Sequence, residues 1–256
     1  MEASLSRKPV VSVILPAYNS EQFLVEAIES VISQTYTDWE LLILDDASPD
    51  DSGKIAKSYA KVDPRIRLLE NAENMGVAKT RNRGVANARG IWIAFLDSDD
   101  IWHSEKLELQ LERAAQTGAQ IIYSSYAMVS EDLTNKKVYM VPSTIDYAGM
   151  LRENVIGCST VLAAANLMKE HPFPTDIYHE DYALWLNLLR VGASVAGCTQ
   201  VLVDWRVTHA GRSFNKRIAA KHRWNIYRKA ERLPFMKSAR VFCIYAIRGI
   251  AKHKRL

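Results

Sequence analysis

Four short apolar segments, rich in Ile, Leu and Val, recur about every 25 residues in the first hundred positions of the chain. They span residues 10–15, 40–44, 65–69 and 91–96. Runs of this length are too short for a typical helix, and their composition favours strands that are covered on both faces. The pattern therefore predicts four strands of one sheet, of which the third, over residues 65–69, is shorter.

Amphipathic helices are predicted in the intervals between these strands. In the first interval the apolar residues have helical spacing, and they are Leu24, Ala27, Ile28, Val31 and Ile32. A second helix is predicted to begin at Ser48, with Ile55, Tyr59 and Val62 on its buried face. Strands that alternate with single helices are typical of right-handed βαβ units. The predicted fold class is α/β, with a mostly parallel, Rossmann-like sheet flanked by helices.

Acidic residues directly follow two of the predicted strands. Asp45 and Asp46 end the second, and Asp97, Asp99 and Asp100 follow the fourth. The carboxyl ends of parallel strands lie at one edge of a sheet, and open α/β sheets bind ligands there. Adjacent like charges are unfavourable unless a cation or hydrogen-bond donors compensate them. A hard divalent cation with oxygen ligands is the simplest compensation.

The regular alternation ends after residue 103. A helix over 105–116 and a strand over 119–126 are still predicted, whereas the elements between residues 128 and 178 cannot be ordered from the pattern. A helix that opens at Glu180 and a strand over 195–206 follow.

These elements predict one domain over residues 1–213. Its first half, 10–103, is expected to bind a nucleotide, and its second half, 104–213, an acceptor. Residues 214–256 are predicted to form a separate basic helical tail. The net charge is +4, but from residue 216 onwards there are 13 Lys and Arg against one acid, so this segment carries +12 and the preceding residues −8.

On a helical wheel the last helix of the tail is amphipathic. Its predicted basic face holds Lys237, Arg240, Arg248, Lys252 and Arg255. Its predicted apolar face holds Phe235, Ala239, Phe242, Cys243, Ala246 and Ile250. Such a helix can lie on an anionic membrane surface, or its apolar face can pack on the protein's own core.

The cysteines bear on the cellular compartment. Cys158, Cys198 and Cys243 are widely spaced and odd in number, which argues against a disulfide framework or a zinc cluster. The first residues lack the apolar stretch of a signal peptide, and no run of 18 uncharged apolar residues occurs. We expect a cytoplasmic protein, with peripheral attachment to the inner face of the cell membrane as the hypothesis that the tail raises.

Five segments, in this order and spacing, resemble inverting family 2 glycosyltransferases of the GT-A fold. They are residues 11–19, 44–48, 74–82, 95–100 and 179–182. The resemblance implies transfer of one sugar from a nucleoside-diphosphate sugar, with a UDP-sugar expected, to a hydroxyl of a glycan or lipid-linked glycan. The chain lacks the Gln-x-x-Arg-Trp motif of processive members. Non-processive transfer in bacterial surface-polysaccharide assembly is therefore favoured.

The matching positions imply a nucleotide and metal site. The implied nucleotide-binding residues are Pro16, Ala17, Tyr18, Asp46, Arg81 and Asp99. Asp46 would accept a hydrogen bond from the base, and Tyr18 would lie against it; the alternative for Asp46 is the start of a capped turn. Asp100 would hold Mn²⁺ or Mg²⁺, with Asp99 on the ribose or the same metal. A bridging metal would stabilise the diphosphate leaving group as a Lewis acid.

Three further residues of the matching segments are not assigned to the nucleotide or the metal. Asp97 is either part of the acidic site or a strand-end residue bonded to nearby backbone. Lys79 and Arg83 are expected on a solvated helix face.

Asp181 matches the position of the general base in this family. Inversion requires direct attack by the acceptor hydroxyl, and a carboxylate can take its proton. A place in the first turn of a helix keeps a carboxylate ionised. Glu180 is the weaker candidate, and ordinary favourable charge at a helix N-terminus is the alternative for both.

Three other residues could contribute to the site. Trp185 and Trp205 could stack on sugars, although core packing is the commoner use of tryptophan. His209 could reach the metal or the diphosphate.

Two rival functions are weaker. Nucleotidyl transfer to a sugar phosphate would need a Gly-rich basic loop after the first strand, and residues 16–19 do not form one. A non-catalytic binding module for sugar nucleotides or nucleic acid is suggested by the basic tail alone. The tail lacks the aromatic interleaving expected for single-stranded nucleic acid, so no nucleic-acid partner is expected. Asp181→Asn would abolish the function of an enzyme and not that of a binding module.

Overall fold

The computed structural model describes residues 8–208 and 216–254 of the 256-residue chain. These residues form one nine-stranded sheet, and helices pack on both of its faces. The alternation of strand and helix predicted for the first hundred residues is present. The predicted α/β fold class is therefore confirmed.

The strands run in mixed directions across the sheet. In chain order they are β1 (Val11–Ala17), β2 (Trp39–Asp45), β3 (Ile66–Glu70), β4 (Trp92–Phe95), β5 (Ile101–Trp102), β6 (Ile121–Val129), β7 (Lys136–Tyr139), β8 (Leu162–Ala164) and β9 (Val195–Arg206). Their spatial order is β3-β2-β1-β4-β8-β6-β9-β5, and β7 pairs with β6. Strands β1 to β4 are parallel, whereas β8 is antiparallel to β4 and β6. The carboxyl ends of β1, β2 and β4 thus share one edge.

Nine α-helices lie in the described part of the chain. They are α1 (Leu24–Ile32), α2 (Ser52–Val62), α3 (Val77–Asn87), α4 (Lys106–Thr117), α5 (Tyr147–Arg152), α6 (Ala165–Glu170), α7 (Glu180–Arg190), α8 (Lys216–Asn225) and α9 (Phe235–Lys254). A 3-10 turn, Cys158–Thr160, precedes β8, and a π-helical turn, Ile226–Ala230, follows α8.

The central strands are buried on both faces because their side chains alternate between two covered cores. Val13 and Leu15 of β1 lie in a core shared with α1, α2 and α4, while Ile14 between them lies in a core shared with α3, α5, α6 and α7. The close approach of α3 depends on Gly84. A Cβ there would lie 2.6 Å from the Cγ2 of Ile14.

The predicted start of the second helix is wrong. Helix α2 begins at Ser52, four residues after Ser48. The intervening segment is held by the loop after β1, because the N–H of Glu21 donates to the carboxylate of Asp50 (2.9 Å). The predicted burial of Val62 is also wrong, since this last residue of α2 is 85% exposed.

The C-terminal helices pack on the domain. Ile226, Tyr227, Leu233 and Val241 are buried in the same core as α5 and α7. The hydroxyl of Tyr227 donates to the carbonyl of Leu151 at the end of α5 (2.6 Å). Residues 209–215, where the predicted domain boundary falls, lie outside the described residues.

The apolar face predicted for α9 is wrong in part. Phe235 is 62% exposed and Cys243 is exposed, whereas Ser238 and Val241 are buried. The helix packs on α5 and on α8 through the side that carries Val241. The face of α9 that is buried in the fold therefore differs from the apolar face that the helical wheel predicts.

A lysine is buried near the start of α4. The ammonium of Lys106 lies 3.9 Å from the centre of the Trp102 ring and donates to Oε1 of Gln110 (2.7 Å). Its side chain is inaccessible to solvent. Burial disfavours the charged form and lowers the pKa of Lys106 from 10.5 to about 7.

We expect stability to rise with pH above neutrality because of Lys106. Between pH 7 and about 10 the unfolded chain binds this proton and the folded chain does not, so the free energy of unfolding rises by about 1 kcal/mol per pH unit. Lys106→Met should flatten that slope in urea titrations at pH 7.5, 8.25 and 9. Lys57→Met, which changes an exposed lysine of α2, should keep it. Parallel slopes in all three proteins would contradict a neutral buried lysine.

Candidate active site

The loops that follow β1 and β2 lie side by side at the carboxyl edge of the sheet. The N–H of Asp46 donates to the carbonyl of Ala17 (2.9 Å), and the N–H of Asn19 donates to the hydroxyl of Ser48 (3.2 Å). Asn19 and Ala47 have φ values of 50° and 57°. This left-handed backbone costs a non-glycine residue about 1 kcal/mol. The sharp turns therefore bring the two loops together under strain.

The three predicted nucleotide-binding residues at the end of β1 differ in exposure. Pro16 and Ala17 are buried in β1, whereas the ring of Tyr18 is 51% exposed. An exposed aromatic ring at a strand end offers a flat apolar surface for a planar base.

The carboxylate of Asp46 is buried and already bonded within the protein. It accepts hydrogen bonds from the side-chain amide of Asn71 (2.6 Å) and from the N–H groups of Met75 and Gly76 (both 2.9 Å). These contacts fix the loop before α3 to the end of β2. Oδ2 receives one of the three bonds, so one of its lone pairs is left for a further donor.

The acidic segment after β4 is held from two sides. The hydroxyl of Ser159, in the 3-10 turn, donates to Oδ2 of Asp100 (2.5 Å) and accepts the N–H of Asp97 (3.1 Å). The N–H of Arg206, the last residue of β9, donates to Oδ1 of Asp100 (3.0 Å). The position of Asp100 is thus set by two elements of the second half of the chain.

The acidic segment is chemically suited to a divalent cation. Burial, followed by the charges of Asp99 and Asp97, raises the pKa of Asp100 well above its usual value. Among the described residues, no group of three or more His, Cys, Asp or Glu side chains is placed to hold a metal ion by itself. Mg²⁺ in phosphate sites usually takes one or two protein carboxylates and completes its shell with phosphate oxygens and water. Asp99 and Asp100 fit that donor set.

Arg81 of α3 joins the acidic segment to α7. Its guanidinium lies 2.5 Å from Oδ1 of Asp97 and 2.7 Å from Oε1 of Glu180. Arg81 and Glu180 are each 2% exposed, and Asp97 is 32% exposed. Burial opposes the charge of Arg81, but surrounding acidic groups raise its pKa well above the usual value. Those groups are Cys158, Asp97, Glu180 and Asp181.

Helix α7 begins at the predicted residue. Glu180 and Asp181 occupy its first turn, where the helix dipole favours negative charge. Glu180 is committed to Arg81, whereas Asp181 is only partly buried. Because Arg81 pairs with both Glu180 and Asp97, the first turn of α7 is joined to the acid-rich end of β4.

The remaining predicted residues have mixed placements. Trp185 is inaccessible and packs on Phe95 (6.5 Å between ring centres), so of its two expected uses the structure shows core packing and excludes sugar stacking. Trp205 is partly buried, with its ring edge-on to Tyr126. Lys79 is exposed as predicted. Arg83 is half-buried and donates to the carbonyl of Glu70 (2.8 Å), and His209 lies outside the described residues.

Two residues that organise the site were missed by the sequence interpretation. Ser159 lies in the stretch from 128 to 178 that carries no readable period, and Arg206 acts on Asp100 through its backbone N–H, which any residue except proline could supply. The side chain of Arg206 also pairs with Glu26 of α1 (2.6 Å). No local signal in the chain marks either contact.

Replacing Arg81 with Met should destabilise the protein by about 3 kcal/mol, because Glu180 would remain as a buried, unpaired carboxylate. Arg81→Lys should recover part of that loss. Urea denaturation at pH 7.5 measures both, and the double variant Arg81→Met with Glu180→Gln should lie closer to wild type than Arg81→Met alone. Additive losses would contradict direct pairing of the two side chains.

Residues 12–167 match the family model described as glycosyl transferase family 2, which is more than half of the chain. The chain belongs to glycosyl transferase family 2.

Two curated relatives align with this chain over almost its whole length. TuaG of Bacillus subtilis (strain 168), named for teichuronic acid biosynthesis, is 36% identical over 246 residues, which cover 96% of this chain and 98% of TuaG. WfgD of Escherichia coli, named as a UDP-Glc:alpha-D-GlcNAc-diphosphoundecaprenol beta-1,3-glucosyltransferase, is 34% identical over 247 residues, which cover 95% of each chain. The protein is accordingly a glycosyltransferase.

Solved structures share its fold. TarS (residues 1–349) of S. aureus matches with a TM-score of 0.71 and 17% identity, over 92% of this chain and 70% of TarS. The mannosyltransferase PcManGT of Pyrobaculum calidifontis, solved with GDP-Man and Mn²⁺, matches with a TM-score of 0.69 and 19% identity, over 90% of this chain and 66% of PcManGT. The GT-A fold is confirmed. Within residues 8–208 and 216–254, no helix has the length and apolar character needed to cross a bilayer.

Proposed function

We propose that this glycosyltransferase moves a single sugar from a UDP-sugar to a hydroxyl of a lipid-linked glycan, with inversion, in the assembly of a bacterial surface polysaccharide. The observation that carries the proposal is the bridge from Asp97 through Arg81 to Glu180. It ties the acid-rich end of β4, suited to a diphosphate and its metal, to the helix that bears Asp181. Donor and base chemistry thereby meet at one edge of the sheet.

The donor's nucleoside would lie between the loops after β1 and β2. Tyr18 offers an exposed ring for the base, and Oδ2 of Asp46 retains an acceptor position for a base N–H. Pro16 and Ala17, buried at the end of β1, precede Tyr18 directly. The fold neighbour TarS has been solved with UDP and with UDP-GlcNAc, which supports a uridine nucleotide here.

Asp99 and Asp100 would hold Mn²⁺ or Mg²⁺ together with the diphosphate of the donor. When bound, the cation supplies Lewis-acid stabilisation of the departing diphosphate. Ser159 and the N–H of Arg206 hold the carboxylate of Asp100 in place before the donor arrives. Arg81, which is buried and pairs with both Asp97 and Glu180, would position the acidic segment beside the nucleotide.

Asp181 would act as the general base. Its carboxylate takes the proton of the attacking acceptor hydroxyl, while the acceptor oxygen forms a bond to the anomeric carbon and the bond from that carbon to the diphosphate oxygen breaks. The first turn of α7 favours the ionised form that this step requires. Glu180 holds that turn against Arg81 and so orients its neighbour.

Titration calorimetry with UDP, GDP, CDP and ADP, each with and without Mn²⁺, tests the donor part of the proposal. UDP should bind at least tenfold more tightly with Mn²⁺ than without it. Release of UDP from a panel of UDP-sugars, measured with a synthetic GlcNAc-diphosphate acceptor, tests transfer. Absence of binding by every nucleotide would overturn the proposal.

We also propose that the chain attaches peripherally to an anionic membrane through α9. The outward side of this helix combines apolar and basic residues. Met236 is 79%, Ile247 66% and Phe235 62% exposed, and Lys237 and Arg240 are exposed beside them. Apolar side chains next to cations suit the interface of an anionic bilayer, where each basic residue adds about 1 kcal/mol.

Flotation of the full chain with vesicles rich in phosphatidylglycerol measures this attachment. The double variant Met236→Glu with Ile247→Glu should lose most of the floated fraction, because it removes apolar contact and adds like charge to the surface. Val62→Glu, at an equally exposed apolar position of α2, is the matched control and should float like wild type. Equal flotation of all three proteins would rule out attachment through α9.

A further inference from the structure

A cleft of about 440 Å³ opens between the segment after β7 and helix α5. Met140, Pro142, Ile145 and Val155 supply much of its apolar lining. Arg152 and Glu153, at the end of α5, supply charge. None of the residues proposed above for the donor, the metal or the base lines this cleft.

The cleft adjoins the base helix. Helix α5 packs on α7, where the hydroxyl of Tyr182, the residue after Asp181, donates to the carbonyl of Met150 (2.9 Å). At the other end of the cleft, Val155 is four residues before Ser159, whose hydroxyl donates to Oδ2 of Asp100 (2.5 Å). The chain therefore runs from the cleft directly into the acid-rich region.

The two charged residues of the cleft are in different situations. The carboxylate of Glu153 accepts a hydrogen bond from the hydroxyl of Tyr139 (2.5 Å). Arg152 is exposed and has no ion pair or hydrogen bond from its side chain within the part of the chain that the structure describes. The cleft thus presents an unneutralised guanidinium next to an apolar wall. That combination suits a ligand with an anionic group attached to an apolar chain.

We propose that this cleft binds the lipid-linked acceptor, with Arg152 pairing with the acceptor's diphosphate and the apolar wall contacting the first part of the lipid. The inference rests on the proposed function and adds the acceptor's anchoring group to it. A guanidinium suits a diphosphate because its planar donors bond two oxygens at once. With the diphosphate held by Arg152, the attached sugar would extend towards Asp181.

Equilibrium binding and transfer with two soluble acceptors test the cleft. One probe is GlcNAc-α-diphosphate with a short alkyl chain, and the other is the alkyl glycoside of GlcNAc with the same chain and no diphosphate. Arg152→Ala should weaken binding of the diphosphate probe, and lower its kcat/KM, by about 10- to 100-fold. Neither quantity should change by more than about twofold for the neutral glycoside. Arg152→Lys should lie between Ala and wild type.

Controls separate failure of this inference from failure of the proposed function. Arg89→Ala removes an exposed arginine before β4, at the opposite edge of the sheet, and should leave both probes unaffected. UDP binding with Mn²⁺ should be the same in wild type and Arg152→Ala, since the donor site is elsewhere. Equal effects of Arg152→Ala on both probes, or no effect on either, would overturn the assignment of the cleft. If the wild-type protein did not bind UDP with Mn²⁺, the proposed function would be overturned instead.

Discussion

Replacing Asp181 with Asn is expected to lower kcat by about 10²- to 10⁴-fold, because the amide cannot take the proton of the acceptor hydroxyl. The fold should be largely retained, since Asp181 is partly exposed and the buried ion pair between Glu180 and Arg81 is unchanged. UDP binding with Mn²⁺ should also remain, because the base contributes little to donor affinity. Steady-state transfer, thermal melting and calorimetry measure the three properties.

The neighbouring acids provide the comparison for Asp181. Asp176→Asn changes an exposed carboxylate five residues earlier and should retain full activity. Glu180→Gln should instead lose stability, because it weakens the buried contact with Arg81. An Asp181→Asn protein with a tenth or more of wild-type kcat would exclude Asp181 as the base. Glu180 would then be the carboxylate to test.

Asp100→Asn is expected to have opposite effects on stability and on donor binding. Without metal, the variant should be more stable than wild type by about 1–3 kcal/mol, because it removes a buried carboxyl group whose ionisation is opposed by burial and by Asp99 and Asp97. Its amide oxygen can still accept the N–H of Arg206, and its amide nitrogen can donate to Ser159. The Mn²⁺-dependent part of UDP binding should be lost, since a neutral amide is a poor ligand for a hard cation.

Urea denaturation of the metal-free protein, and calorimetry with UDP in the presence and absence of Mn²⁺, measure these two effects. Asp51→Asn, at an exposed carboxylate before α2, is the control and should change neither quantity by much. Tightening of UDP binding by Mn²⁺ in the Asp100→Asn protein to the same degree as in wild type would show that the metal is held elsewhere.

The sequence was sufficient for the first half of the fold because its signals there are local. Strands β1, β2 and β4 are short apolar runs of the kind that a doubly covered strand requires, β3 is a shorter strand at the sheet edge, and single helices separate the four. The shared edge of Tyr18, Asp46 and Asp97 follows from that alternation alone. The start of α7 at Glu180 was likewise readable, since acids and helical spacing coincide there.

Local pattern was insufficient where one segment depends on another. A helix start at Ser48 is reasonable on capping grounds, yet the loop after β1 binds Asp50 and delays the helix to Ser52. The helical wheel of α9 predicts that its most apolar face is buried, whereas packing on α5 buries the face that carries Val241. Both errors come from competition between local propensity and tertiary contact.

The sequence by itself determined the strand-helix alternation, the acid-rich strand end and the family segments, because these depend on residues within a few positions of one another. Only the tertiary structure decided which groups hold those acids. Ser159 reaches Asp100 across 59 positions, and Arg81 reaches Glu180 across 99. Contacts over such separations leave no periodicity in the chain, since they arise only when β8 and α7 pack beside β4 and α3.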